Sequence, residues 1–247
     1  MSYRSTLLFA AALVAIGATG PARGQLPSDL YVRGDLGIAG ASNANIHNRN
    51  QATVTGINGT LNDVGTAWVG GIGAGLHILP GIRTDLVYTY RGGFSLDEGD
   101  HAVPPHRFQA DLASNSVMAT AYWDIPVFGQ IAAFVGAGIG WADVSLSRLS
   151  SSTGGLVVNP LHVNTTGIPV APDGRTDNFA WQATTGLAFP IGSGVLVELF
   201  YRYFDGGHVQ TPAGNVTVNT MVVGQFGGAE GTLHSHELTL SLRVPIA

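Results

Sequence analysis

Apolar and polar residues alternate along most of this chain, in eight separate blocks. The clearest two, joined by a turn, cover residues 179–204. In the second half Val195, Val197, Leu199, Tyr201 and Tyr203 alternate with Leu196, Glu198, Phe200, Arg202 and Phe204. Successive side chains of a strand point to opposite faces, so one face carries an unbroken apolar and aromatic row. In the first half Phe179, Trp181, Ala183, Leu187 and Phe189 share a face, and Gln182, Thr184 and Gly186 the other. Pro190, Gly192 and Gly194 supply a tight turn between the two halves. The pattern predicts two antiparallel strands.

Six further blocks behave alike. From Asp29, Leu30, Val32, Leu36 and Ile38 oppose Tyr31, Arg33, Asp35 and Gly37. Residues 65–78 put Trp68, Ile72, Ala74, Leu76 and Ile78 opposite Val69, Gly71, Gly73, Gly75 and His77. Residues 82–92 point Leu86, Tyr88 and Tyr90 outward and Arg83, Asp85, Thr89 and Arg91 inward. Residues 114–123, 131–144 and 233–246 complete the set, the last opposing His236, Leu238, Leu240, Leu242 and Val244 to Ser235, Glu237, Thr239, Ser241 and Arg243. Between the eight predicted strands the connections alternate in length. Residues 40–64, 93–113, 145–177 and 205–232 are rich in Ser, Thr, Asn, Gly and Pro and read as long polar loops. Residues 79–81, 124–130 and 190–194 read as short turns.

Each predicted strand is about long enough to cross a bilayer when tilted, ~9–11 residues plus a rim. Short turns on one side and long loops on the other are the signature of an outer-membrane barrel. A soluble β-sandwich, the competing reading of any one strand, gives no reason to sort loops by length. Trp68, Tyr88, Tyr90, Trp123, Trp141, Trp181, Tyr201 and Tyr203 fall near strand ends on the apolar face, where interfacial girdles belong.

Composition supports the pattern. Only 11% of residues are charged, against roughly 25% in an ordinary soluble protein. Yet past the N-terminus no run approaches the ~20 apolar residues of a membrane-spanning helix. Residues 1–24 read as a secretory signal: Arg4 is the basic region, residues 7–18 the apolar run, and Ala22 and Gly24 the small residues before cleavage. The mature chain, 25–247, then starts at Gln25 and is one barrel domain. All 11 basic residues are arginine; losing Arg4 and Arg23 leaves 9 against 16 acidic, a net charge of −7 with His neutral. That balance argues against a nucleic-acid partner. With 0 cysteines there is no disulfide, thiolate metal site or cysteine nucleophile.

The inward faces carry a balanced candidate site: Arg33, Arg83, Arg202 and Arg243 with Asp35, Asp85, Glu198 and Glu237. It reads as the selectivity constriction of a narrow solute channel or as a salt-bridged plug. An eight-stranded barrel is just wide enough for its own side chains to fill it, and buried charges must pair, which favours the plug. A third reading is enzymatic: His234-Ser235-His236-Glu237 has the residue types of a lipid hydrolase at the membrane rim. Ser235 and His236 point to opposite faces of one strand, so they cannot form a catalytic pair unaided. His47, His101, His106, His162 and His208 are scattered through the loops without the spacing of a metal site. Gly71, Gly73, Gly75 and Gly136, Gly138, Gly140 lie within strands, so they are no dinucleotide fingerprint; they fit strands packed against large neighbours in a narrow bore. No cofactor, metal or catalytic set is expected.

Several segments resemble the opacity-type small outer-membrane proteins of Gram-negative bacteria, relatives of the OmpA-like transmembrane barrel. They are Tyr31-Val32-Arg33-Gly34-Asp35-Leu36-Gly37, Ser114-Asn115-Ser116-Val117-Met118-Ala119-Thr120-Ala121-Tyr122-Trp123-Asp124, Phe134-Val135-Gly136-Ala137-Gly138-Ile139-Gly140, Tyr201-Arg202-Tyr203 and His236-Glu237-Leu238. The resemblance covers the eight strands and none of the loops. It implies an all-β, eight-stranded antiparallel up-and-down barrel in the bacterial outer membrane, without enzymatic activity as a rule. Its implied partners are outer-membrane lipid, lipopolysaccharide and, during biogenesis, the barrel-assembly machinery. Such chains usually end in an aromatic residue that the machinery reads; this one departs from that with Val244-Pro245-Ile246-Ala247. The expected role is non-catalytic: envelope integrity, and surface contact through four outer loops.

Overall fold

Strand alternation on this scale buries one face either between two stacked sheets or inside one sheet closed on itself, and here the sheet closes. The computed structural model describes residues 30–41, 46–48, 65–99, 106–158, 161–169, 172–218 and 221–246. These form β1 (Leu30–Ala41), β2 (His47–Asn48), β3 (Thr66–Leu79), β4 (Ile82–Gly99), β5 (His106–Phe128) and β6 (Ile131–Val158). After them come β7 (Leu161–Pro169), β8 (Gly174–Gly192), β9 (Val195–Gln210), β10 (Gly214–Val218), β11 (Met221–Phe226) and β12 (Ala229–Pro245). The wall runs β1-β3-β4-β5-β6-β8-β9-β12, and β12 pairs back onto β1. All these pairs are antiparallel, so the barrel has eight strands and no free edge. In the closing pair Arg33 lies opposite Arg243 and Leu36 opposite Leu240.

The two faces separate as the alternation requires. Leu36, Ile38, Ile72, Ile139, Leu199, Leu238 and Leu240 are exposed on the outer wall, while Arg33, Asp35, Arg83, Asp85, Glu198 and Arg202 are buried inside. Glycine makes room for the large inward residues. A β-carbon on Gly75 would meet the Tyr31 ring at 2.5 Å, and one on Gly136 would meet the Tyr122 ring at 2.5 Å.

The short turns after β3, β5 and β8 lie at the same end as Leu30 and Pro245. There the Ile246 amide donates to the Leu30 carbonyl at 2.8 Å. In an outer-membrane barrel this is the periplasmic end. The turn after β5 is Gly129-Gln130; residues 124–128, expected as turn, continue the strand.

At the other end the expectation of long polar loops is corrected. Residues 93–113 are largely strand: β4 runs on to Gly99 and β5 starts at His106. Within 145–177, β6 continues to Val158, β7 folds back on it, and β8 starts at Gly174. Within 205–232, β9 continues to Gln210, β10 and β11 form a separate hairpin, and β12 begins at Ala229. The reason is an inward apolar row that the polar composition hides. Phe94, Leu112 and Leu146 lie side by side across β4, β5 and β6, all buried. Their outward neighbours are Gly93, Ser95, Asp111, Ala113, Ser145 and Ser147, small or polar residues that suit a wall facing water instead of lipid. Most of the first predicted loop, 40–64, lies outside the described residues, although Ile46 is buried and β2 pairs with β12. The signal segment also lies outside them.

Candidate functional site

The lumen holds all eight charged residues expected there, and the structure brings them together. Near the periplasmic end Arg33 reaches Asp85 (Nη1–Oδ2, 2.5 Å), Asp35 (Nη2–Oδ1, 2.9 Å) and Glu198 (Nη2–Oε2, 3.7 Å). Arg83 reaches Glu198 at 3.2 Å and Asp85 at 3.4 Å. Arg243 reaches Glu198 at 3.4 Å. Higher in the bore Arg202 bridges Asp35 (3.4 Å) and Glu237 (3.1 Å). Every member is therefore linked to every other through shared carboxylates.

Two further charges join. Arg91 donates from Nε to Glu237 Oε1 at 2.5 Å, and Arg83 pairs with Asp124 at 3.1 Å. Five arginines (33, 83, 91, 202, 243) then face five carboxylates (35, 85, 124, 198, 237), a neutral set. A neutral, cross-linked set is the arrangement under which charges tolerate burial. Aromatic rings pack against the guanidinium groups: Arg83 stands 3.9 Å from the Tyr122 ring centroid and Arg91 3.6 Å from that of Phe204. The Tyr31 hydroxyl donates to Asp85, and Tyr122 accepts from Arg33 Nη1 at 3.3 Å.

Arg91 had been legible as inward-facing from its strand alternation, although not as part of the charge set. Asp124 was hidden by its assignment to a turn. The signal that would have found it is the two-residue spacing Met118, Thr120, Tyr122, Asp124, which carries the inward face of β5 one step further.

Around and above Arg91 the bore is largely apolar, with buried Ser114 among it. Val69, Phe94, Leu112, Met118, Val144, Leu146, Phe204 and Leu233 form one buried cluster, and Ile46 reaches it from the first connection. From periplasm outward the interior is therefore charged, then greasy.

The rim motif does not assemble as a catalytic set. Ser235 points inward and donates to Glu237 Oε1 at 2.9 Å. His236 points outward and its Nδ1 bonds the Tyr201 hydroxyl. His234 stacks on Tyr203 and lies 3.5 Å from Asp205, which also accepts from Trp181 Nε1 at 3.0 Å. Both histidines thus belong to the outer aromatic girdle. Of the scattered histidines, His47 pairs with Glu230 at 3.1 Å and His208 is an exposed residue of β9. The His101, His106 and His162 side chains lie outside the described residues. No cluster of three or more metal-ligating side chains occurs among the described residues.

Residues 9–227 match the outer membrane protein beta-barrel domain family. The chain belongs to that family. It is accordingly a bacterial outer-membrane protein, with its barrel in the lipid bilayer. Among individual relatives, the "Putative adhesin RC1281" of Rickettsia conorii is 29% identical over 180 residues, covering 72% of this chain and 67% of the relative. The outer membrane protein PagN of Salmonella typhimurium is 23% identical over 52% of this chain and 51% of its own. The fold is shared with OprG of Pseudomonas aeruginosa (TM-score 0.51, 10% identity, 90% of this chain and 99% of that one). It is shared equally with Neisserial surface protein A (TM-score 0.50, 16% identity, 88% and 97%). Family membership and the eight-stranded wall agree with the opacity-type resemblance of the strand motifs.

Proposed function

We propose that this barrel is a non-catalytic surface-contact protein that also contributes to envelope integrity. The observation that carries the reading is the filled bore. A neutral ion network and an apolar cluster occupy the lumen in series, so exposed chemistry is left to the outer wall and the extracellular end. The wall past the girdle is wet and charged, with Arg148 paired to Asp111, Arg175 to Asp143 and His47 to Glu230. The adhesin name carried by the Rickettsia relative supports contact with another surface. Export through the 1–24 signal, insertion by the barrel-assembly machinery, and lipopolysaccharide around the girdle are parts of the same proposal.

The test is expression of the full chain in a non-adherent Gram-negative host, with binding to host cells and extracellular matrix counted. The wild type is expected to raise adherence. Deletion of residues 214–226, the β10–β11 hairpin, is expected to lower it while the protein stays in the outer membrane. Adherence equal to that of the empty host would overturn the proposal.

A further inference from the structure

Residues 209–229 form a run without a single Asp, Glu, Arg, Lys or His. The chain as a whole has a net charge of −5, all of it carried elsewhere. Within this run β10 and β11 pair antiparallel with each other and join no other strand among the described residues. β10 lies beside β7, whereas β11 has no strand paired on its far side among the described residues. Both strands are rich in residues that favour extended backbone: Val216, Thr217 and Val218 in β10, Val222 and Val223 in β11. An edge strand presents a row of unpaired N–H and C=O groups, and proteins commonly blunt such an edge with charge, proline or a bulge. The hairpin pairing has a register shift between Val216 and Thr217, but neither strand contains charge or proline.

Resting on the surface-contact reading, we propose that β11 is a homotypic docking edge, which pairs with β11 of a second copy of this chain on a neighbouring cell. Three arguments select that occupant. A strand laid antiparallel to its own copy meets an identical row of donors and acceptors, so the contact is two-fold symmetric and closed. Two copies of an acidic chain repel where their charged surfaces meet, and the repulsion is least where both sides are neutral. A strongly charged partner, by contrast, finds no counter-charge in residues 209–229 to steer it there. Residues 216–223 also have the composition of segments that pair with identical copies: β-prone, uncharged, and without proline or glycine. One pairing along the 6 residues of β11 is weak. Many copies on two apposed cells make the contact multivalent, which offsets that weakness.

The test displays the full chain on a non-adherent Gram-negative bacterium whose lipopolysaccharide lacks long sugar chains, in green and in red fluorescent populations. Mixed clumps are counted at equal amounts of protein in the outer membrane. Wild-type cells are expected to clump with wild-type cells at least tenfold more than with cells lacking the protein. Val222→Lys and Val222→Glu each set like charges against one another at the edge, and each is expected to lose the clumping at least tenfold. Mixing Val222→Lys cells with Val222→Glu cells is expected to restore it, which also shows that both variants fold. Three outcomes would overturn the homotypic edge. Equal clumping with cells lacking the protein would assign the contact to another envelope component. No wild-type clumping would mean that the edge is covered within its own chain or meets a different partner. No restoration in the mixture would place the contact away from β11. Adherence to host cells, counted on the same strains, tests surface contact separately. Adherence retained without wild-type clumping overturns the edge and leaves that reading standing.

Discussion

Arg91 and Glu237 are 146 residues apart in the chain, yet Arg91 Nε donates to Glu237 Oε1 across the lumen at 2.5 Å. The two partners are unequally supported. Glu237 also accepts from Arg202 at 3.1 Å and from Ser235 at 2.9 Å, whereas Arg91 has Ser116 Oγ at 2.7 Å as its other acceptor.

That asymmetry sets a first prediction. Glu237→Gln leaves Arg91 without a counter-charge, and breaking a buried pair in this way costs roughly 3–5 kcal/mol. Arg91→Met leaves Glu237 with Arg202 and is expected to cost less. Glu230→Gln, in the exposed pair with His47, is expected to stay within about 1 kcal/mol of wild type. Urea unfolding of the barrel in lipid vesicles measures all three. Equal losses for the first two would contradict a shared network.

A second prediction concerns the wall. Leu36, Leu240, Leu199 and Leu187 lie in one register row across β1, β12, β9 and β8, and all four are exposed. Arginine at Leu199 or Leu240 is expected to cost ~2–4 kcal/mol if that row sits at the bilayer midplane. The same vesicle unfolding checks it. Tolerance at both positions would place the row outside the hydrocarbon.

Most of the wall was legible in the sequence because lipid enforces the alternation. Residues such as Leu199, Tyr201 and Tyr203 must be apolar outside, and Glu198 and Arg202 can be polar inside. Beyond the girdle the outer solvent is water, and the rule changes. Around Leu146 and Leu149 both faces read as polar composition, and only the isolated inward leucines betray a strand. The same logic explains the site. Arg33 and Glu237 were visible because each falls on the inward face of a clearly alternating strand, whereas Asp124 sits next to Ile125-Pro126 and resembles turn chemistry. Sequence spacing also carries no information on which strand lies across the bore, so the Arg91–Glu237 contact was beyond it.

Topology gives a third prediction. The β8–β9 turn, with Ser193 at φ 51°, lies at the end assigned to the periplasm, and Ala213 precedes the β10–β11 hairpin at the other. Epitope tags at Ala213 are expected to label on intact cells, and tags at Ser193 only after the outer membrane is opened. N-terminal sequencing of the same envelope protein is expected to read from Gln25. Labelling at Ser193 on intact cells would invert the barrel.

The last prediction separates a plugged barrel from a channel. Conduction needs a continuous wet path, and two different barriers stand in series here. In the lower bore Arg33, Arg83 and Arg243 are tied to Glu198, so an ion entering would have to compete with cross-linked charges already at 3.2–3.7 Å. In the upper bore Phe204, Val69 and Leu112 crowd the path, and the polar groups beside them, Arg91 and Ser114, are too few to replace an ion's water, which is costly in a low-dielectric interior. The wild type in planar bilayers is therefore expected to show no steady conductance. Because the seal lies in the wall-bound side chains, deletion of residues 214–226 is expected to leave the protein equally silent. Openings that appear only on that deletion would move the seal to the extracellular hairpin. Large, reproducible openings of the wild type would replace the plug with a pore.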